Sequence, residues 1–207
     1  KVQFSNDGYN VIYDTKIISE KKSSCLDILK KMEIDFVKYH ITSLDESIDK
    51  LRFMTIYNHQ IVNFLTFDQP FTSTYYTLRV DIISEDHKVI DNDSFLIQCC
   101  HGYIDTAVYI HAQGYPFLFK VIKDEKFSET KKRLLTLLKC DNENDYQFRV
   151  RFDGKTIGSD KLIDNDEQLS DIANKDSVLF IIYKDDINVT NSNIGSRIPD
   201  KPLIIYN

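Results

Sequence analysis

The sequence predicts an α+β chain of two small tandem domains followed by a flexible C-terminal peptide. Three observations carry this. The 207 residues suffice for two small domains, and 42% hydrophobic with 28% charged content supports real cores beneath polar surfaces. The polar stretch Ser84 to Asp93 interrupts the chain near its middle and is the expected boundary. On each side of it the hydrophobic pattern runs hairpin, helix, strands, in that order. The expected limits are therefore a domain over 1–91, a second over 92–186 and a tail over 187–207.

The first block opens with Lys1 to Phe4, an Asn6-Asp7-Gly8 turn and Tyr9 to Ile18, which reads as a hairpin. Ser23 or Ser24 caps a helix whose apolar face is Leu26, Ile28, Leu29 and Met32. After a polar loop (Thr42 to Lys50), Leu51 to Tyr57, Gln60 to Leu65 and Tyr75 to Ile83 supply three more strands.

The second block is clearer. Phe95 to Cys100 is a strand, and Phe117 to Ile122 is another, with Phe117, Phe119 and Val121 on one face. Ser128 precedes a helix with Glu129 in its first turn, Leu134, Leu135, Leu137 and Leu138 as its apolar face, and Phe127 as a staple. Gln147 to Phe152 alternates strictly, placing Phe148, Val150 and Phe152 inward and Arg149 and Arg151 outward. Asp153-Gly154-Lys155 makes a turn in which glycine tolerates positive φ. Leu169 and Ile172 form a short apolar turn before the last strand, Val178 to Tyr183.

Strand, capped helix, strand, Asp-Gly turn, second turn, final strand is the order in which a β-grasp fold is written. The stretch Arg149 to Tyr183 resembles ubiquitin itself at Asp153-Gly154-Lys155, Leu169 and Asp176-Ser177-Val178-Leu179. Two departures matter. The last strand ends Lys184-Asp185-Asp186 without the Gly-Gly that conjugation needs, and the outward position of the central strand holds Arg151 where ubiquitin shows its receptors an apolar residue. The expected fold is thus two tandem β-grasp (ubiquitin-like) domains with a flexible C-terminal peptide, an interaction module and not a modifier.

A narrower resemblance rests on Leu51-Arg52 with Ile56-Tyr57, Phe95 to His101, Gly114-Tyr115-Pro116-Phe117-Leu118, Lys131-Lys132-Arg133-Leu134 and the close Lys201-Pro202-Leu203-Ile204-Ile205-Tyr206-Asn207. Over nearly its whole length the chain resembles the last two ubiquitin-like domains and tail of the herpesvirus-associated ubiquitin-specific proteases, including fungal members. The loop before Tyr115 and the linker Asp185 to Arg197 depart from that family. The resemblance implies an upstream cysteine-protease domain that is poorly active alone, and terminal domains that fold back so that the end peptide docks beside its active site. Leu203, Ile204, Ile205 and Tyr206, closed by Asn207, would be the activating peptide. Physics agrees with that arrangement. The Asn/Ser/Asp-rich linker should be flexible, and the 21 residues of the tail reach roughly 70 Å when extended. Tethering raises effective concentration, so weak intrinsic affinity suffices.

Composition excludes other classes. A net charge of −6 gives no basic footprint for nucleic acid, and no apolar run approaches the roughly 20 residues of a membrane span. No signal peptide opens the chain, and its start at Lys1 without Met suggests a piece of something larger. Four cysteines (Cys25, Cys99, Cys100, Cys140) without framework spacing fit an intracellular protein, cytoplasmic or nuclear, in which the acceptor triplets at Asn92 and Asn188 carry no meaning. No cofactor and no metal are expected. The expected partners are the upstream catalytic domain and protein substrates or adaptors.

The weaker signals have plainer readings. Cys99-Cys100-His101 invites a thiol or metal reading, yet it lies in a strand where alternation buries one cysteine, and it lacks the partners such sites require. Lys131-Lys132-Arg133 reads as a solvated helix face. Phe180 and Ile182 point away from Leu179 and Ile181, so an exposed apolar patch is expected there, a partner site or the seam between the domains, with the seam preferred. Two rival functions stay open: a recruitment platform with a passive tail, and an independent thiol enzyme using Cys99 or Cys100.

Overall fold

The computed structural model describes residues 1–189 apart from 6, 10, 18–21, 33, 42, 45, 46, 72–74, 89, 141 and 153–159. The chain divides into two compact units, Lys1–Glu85 and Asp86–Asn207. The division falls inside the polar stretch Ser84 to Asp93.

In the first unit, β1 (Val2–Ser5) pairs antiparallel with β2 (Val11–Thr15) and parallel with β5 (Thr77–Ile82). Strand β3 (Leu51–Tyr57) lies between β5 and β4 (Gln60–Leu65), antiparallel to both. The order is β2-β1-β5-β3-β4. A two-residue turn joins β3 to β4, with Asn58 and His59 both at positive φ (46° and 61°), the handedness that matches strand twist. Helix α1 (Cys25–Lys30) starts at Ser24, not Ser23. Ser24 Oγ accepts from the Asp27 amide at 3.1 Å and the Asp27 carboxylate accepts from the Ser24 amide at 3.1 Å, a reciprocal box that also holds the Asp27 carboxyl below its usual range. Cys25, Ile28, Leu29 and Met32 pack with Val2, Phe4, Phe53, Leu78 and Val80. On the far face Arg79 and Asp81 form a buried pair at 2.7 Å, and Arg79 donates to the Gly8 carbonyl at 3.0 Å. Burial pushes the Asp81 carboxyl up despite the facing guanidinium.

A short helix α2 (Glu85–Lys88) opens the second unit. Its strands are β6 (Ser94–Asp105), β7 (Ile110–Ile122), β8 (Tyr146–Arg151), β9 (Asp160–Leu162) and β10 (Val178–Val189), in the order β7-β6-β10-β8-β9. Renumbered within each unit, both sheets read second, first, fifth, third, fourth, with the first and last strands parallel. Helix α3 (Phe127–Leu137) and the one-turn α4 (Leu169–Ile172) complete it.

Several expectations are corrected. Helix α3 begins at Phe127, so Ser128 lies in its first turn and caps nothing. The Phe127 and Ser128 amides instead donate to the Glu167 and Asn165 carbonyls, at 2.7 and 3.0 Å, so a loop does the work of a cap. Phe127 meets Phe148 edge-on at 5.4 Å. Phe152 was placed inward and is exposed. The β6–β7 hairpin is about twice the expected length, running to Asp105 and resuming at Ile110. Ile187–Val189, assigned from sequence to the flexible tail, continue β10, where Ile187 pairs with Ile104.

Candidate functional site

The longer hairpin reorganises the face of the second sheet turned away from α3. Strands in a sheet lie about 4.8 Å apart, and β7 and β8 are separated by both β6 and β10. Yet Arg151, on β8, donates to the Ile110 carbonyl of β7 at 3.2 Å. That reach requires the distal hairpin to curl back over the sheet. An irregularity in the β6–β7 register between Cys99 and His101 permits the bend. At Gly102 an added Cβ would come within 3.2 Å of the His111 carbonyl and 3.3 Å of Phe180, so any larger residue there would require the fold-over to give by a few tenths of an ångström.

Phe180 and Ile182 therefore form no exposed patch. They are fully buried within the second unit, in a cluster with Cys100, Ile104, Ile110 and Val178. Arg151 is likewise not outward to water. Its guanidinium lies 4.7 Å from the Phe180 ring centre and grips Asp160 through Nε at 2.8 Å and a second nitrogen at 3.4 Å. Alternation assigned Arg151 to the correct face, but that face is roofed.

Both neighbouring thiols, not one, are buried. Burial pushes Cys99 well above its ordinary value and Cys100 to about 12, which disfavours the thiolate a nucleophile needs at neutral pH. His101 is half-buried, and desolvation lowers its pKa. Among the described residues no three His, Cys, Asp or Glu side chains gather as a metal site. No described helix is long and apolar enough to cross a membrane.

The hairpin tip is a feature that the sequence reading missed. Asp105 organises it: Oδ1 accepts from the Ala107 and Tyr109 amides at 3.0 and 2.9 Å, and Oδ2 meets His111 Nε2 at 2.8 Å. These hydrogen bonds, the one to His111 foremost, hold the Asp105 carboxyl below its usual range. Tyr103 stacks on His111 with ring centres 4.9 Å apart. Inside this frame Val108 sits at φ 66°, a left-handed conformation that β-branched residues avoid, with its side chain 65% exposed. Tyr109 beside it is 48% exposed. An aspartate four residues before an aromatic hints at such a turn, but no sequence pattern announces a valine at positive φ.

In the first unit β4 carries exposed apolar side chains, Val62 at 44% and Phe64 at 60%, and Val37 and Tyr75 elsewhere in the unit are more exposed still. The expected activating residues Leu203, Ile204, Ile205, Tyr206 and Asn207 lie outside the described residues.

A family model described as ubiquitin-specific protease C-terminal matches residues 1–188, spanning both sheets. The chain belongs to that family. It is thus a C-terminal region of a ubiquitin-specific protease, and the match takes in the curled hairpin and the Arg151–Asp160 pair as well as the first unit. A search of curated proteins finds no match. In this ubiquitin-specific protease C-terminal region three thiols are buried in sheet or helix, whereas β4 and the hairpin tip carry exposed apolar side chains.

Proposed function

We propose that the chain is the non-catalytic regulatory end of a ubiquitin carboxyl-terminal hydrolase, two tandem β-grasp domains that deliver a flexible C-terminal peptide to the catalytic domain of the same protein. The observation that carries this reading is the family match over residues 1–188. The shared strand order of the two sheets, with first and last strands parallel at the centre, supports the β-grasp assignment. The buried, high-pKa thiols support a non-catalytic role. Four free cysteines fit a reducing compartment, cytoplasm or nucleus. Leu203-Ile204-Ile205-Tyr206 supplies four large apolar side chains, each worth about 1.5–3 kcal/mol when buried, less the cost of ordering them.

The test adds the intact chain to the isolated protease domain of its parent and follows ubiquitin-AMC turnover. The expected result is a rise in turnover whose half-maximal chain concentration the double variant Ile204→Ala/Ile205→Ala raises about thirtyfold, since each truncation removes roughly a kcal/mol of burial. Turnover indifferent to the chain would overturn the reading, and equal activation by the double variant would take the peptide out of it. The hairpin tip favours a second reading, an interaction platform for substrates or adaptors, because Val108 and Tyr109 are presented on a braced turn.

A further inference from the structure

Three neighbouring strands of the second sheet change register in one zone. Between the pairs Cys99↔Phe117 and His101↔Gln113, β6 supplies one residue, Cys100, and β7 supplies three, residues 114–116. Between the pairs Ile182↔Gly102 and Ile187↔Ile104, β6 supplies Tyr103 alone and β10 supplies four, residues 183–186. The strand order is β7-β6-β10, so these irregularities lie side by side. Gly114 takes φ 68°, and no atom stands within 4 Å of where its Cβ would be, so the chain there has room to turn. Pro116, two residues on, has no N–H to tie into a ladder.

Beyond this line lies a lobe of three short strand segments, residues 103–105, 110–113 and 187–189. It is braced within itself. Asp105 holds the Ala107 and Tyr109 amides and His111, Tyr103 stacks on His111, and Gln113 Nε2 donates to the Gly102 carbonyl at 3.3 Å. Its grip on the sheet below is of another kind. Ile104, Ile110 and Ile187 pack with Cys100, Val178, Phe180 and Ile182, and Arg151 reaches the Ile110 carbonyl. That last bond breaks at little cost, because Arg151 keeps Asp160 and the freed carbonyl passes to water.

We propose that this lobe is a hinged flap, which swings as one body about Tyr103, Gly114 and the 183–186 bulge while the α3 side of the sheet stays folded. Hinges are a few residues that absorb a change of φ and ψ, and bulges concentrate that change. Such a local opening lies below global unfolding in free energy, because most of the unit's contacts survive it. The open state uncovers Cys100, Phe180 and Ile182, so the second unit owns an apolar face that it withholds when closed. The flap belongs to one unit alone, and it stands whether or not the chain activates a protease.

Adjacent thiols report the two faces separately. Cys100 belongs to the cluster beneath the flap, whereas Cys99 pairs with Phe117 and points to the opposite face by alternation. The test is iodoacetamide labelling of the full chain under native conditions, with tandem mass spectrometry locating the label at early times. Cys100 should react well behind the partly exposed Cys140 but about a hundredfold faster than Cys99, which waits for the whole unit to unfold. Leu134→Ala, which opens a cavity at a fully buried position of α3, should speed Cys99 about thirtyfold. It should leave Cys100 within about threefold of its rate, since the flap route does not disturb that packing. Cys99 and Cys100 reacting within about threefold of one another, or both quickened alike by Leu134→Ala, overturn the flap. Should Leu134→Ala fail to fold, the rates of the unaltered chain decide alone.

Discussion

Replacing Arg151 with methionine tests the roofed face of the second sheet. Methionine keeps most of the side-chain length and apolar stem and removes the guanidinium. Three interactions go with it: the two-pronged grip on Asp160 at 2.8 and 3.4 Å, the bond to the Ile110 carbonyl at 3.2 Å, and the cation over Phe180 at 4.7 Å. The dominant cost is the Asp160 carboxylate left buried and unpaired, about 3–5 kcal/mol for a broken buried pair. The carbonyl bond contributes about 1 kcal/mol, and the contributions overlap, so a loss of about 4 kcal/mol is expected. Arg151→Met/Asp160→Leu removes both charges and should return to within about 1 kcal/mol of the parent. The two units need not unfold together, so the assay is hydrogen exchange at the Val150 and Phe180 amides. A single-variant loss below about 1 kcal/mol, or a double variant no better than the single, would refute the account.

Three further outcomes follow from the geometry. Val108→Gly should stabilise the second unit by about 1 kcal/mol, because a left-handed residue costs about 1–2 kcal/mol unless it is glycine and the exposed valine side chain buries little; an unchanged denaturation midpoint would show that the turn is unstrained. Iodoacetamide at pH 7.5 should label the partly exposed Cys140 well before Cys25, Cys99 and Cys100. Cys25 and Cys100 are held at about 11 and about 12 in the folded state, so the unfolded chain loses thiol protons first as pH rises above about 9. Stability from these groups is thus complete below pH 9 and declines through pH 11–12. Fast labelling of Cys99 or Cys100 at neutral pH, or a flat alkaline profile, would contradict the burial.

Where short-range signals bounded an element, the sequence was readable. Leu51–Tyr57 and Gln60–Leu65 agree with the structure at both ends, since alternation and a turn tolerant of positive φ bound them. The Ser24 box was legible because capping is local. What misled was long-range. Nothing local in Arg149-Val150-Arg151 tells that a hairpin extension roofs the second face, so a buried ion pair read as a solvated flank. Gly114 and Pro116 look like punctuation but lie inside β7, and Lys184-Asp185-Asp186 looks like an exit but lies inside β10. The α3 start was misplaced because its amides are satisfied by a loop some 40 residues downstream. Of the residues expected to act, Phe180 and Ile182 proved to be core, for the same reason as Arg151.

The position of β10 has a consequence for how the protein is made. In each sheet the last strand synthesised is the middle one, flanked by the first strand on one side and the third on the other. A nascent chain that has emerged only as far as Asp176 holds two separate hairpin-like halves, β7-β6 and β8-β9, with nothing to join them. The second unit must wait on the ribosome until Val178–Val189 clears the exit, and only then close its longest loop. A premature stop anywhere before that strand does not shorten the domain. It removes the domain's centre, and it leaves β6 and β8 as open edges of the kind that quality control recognises.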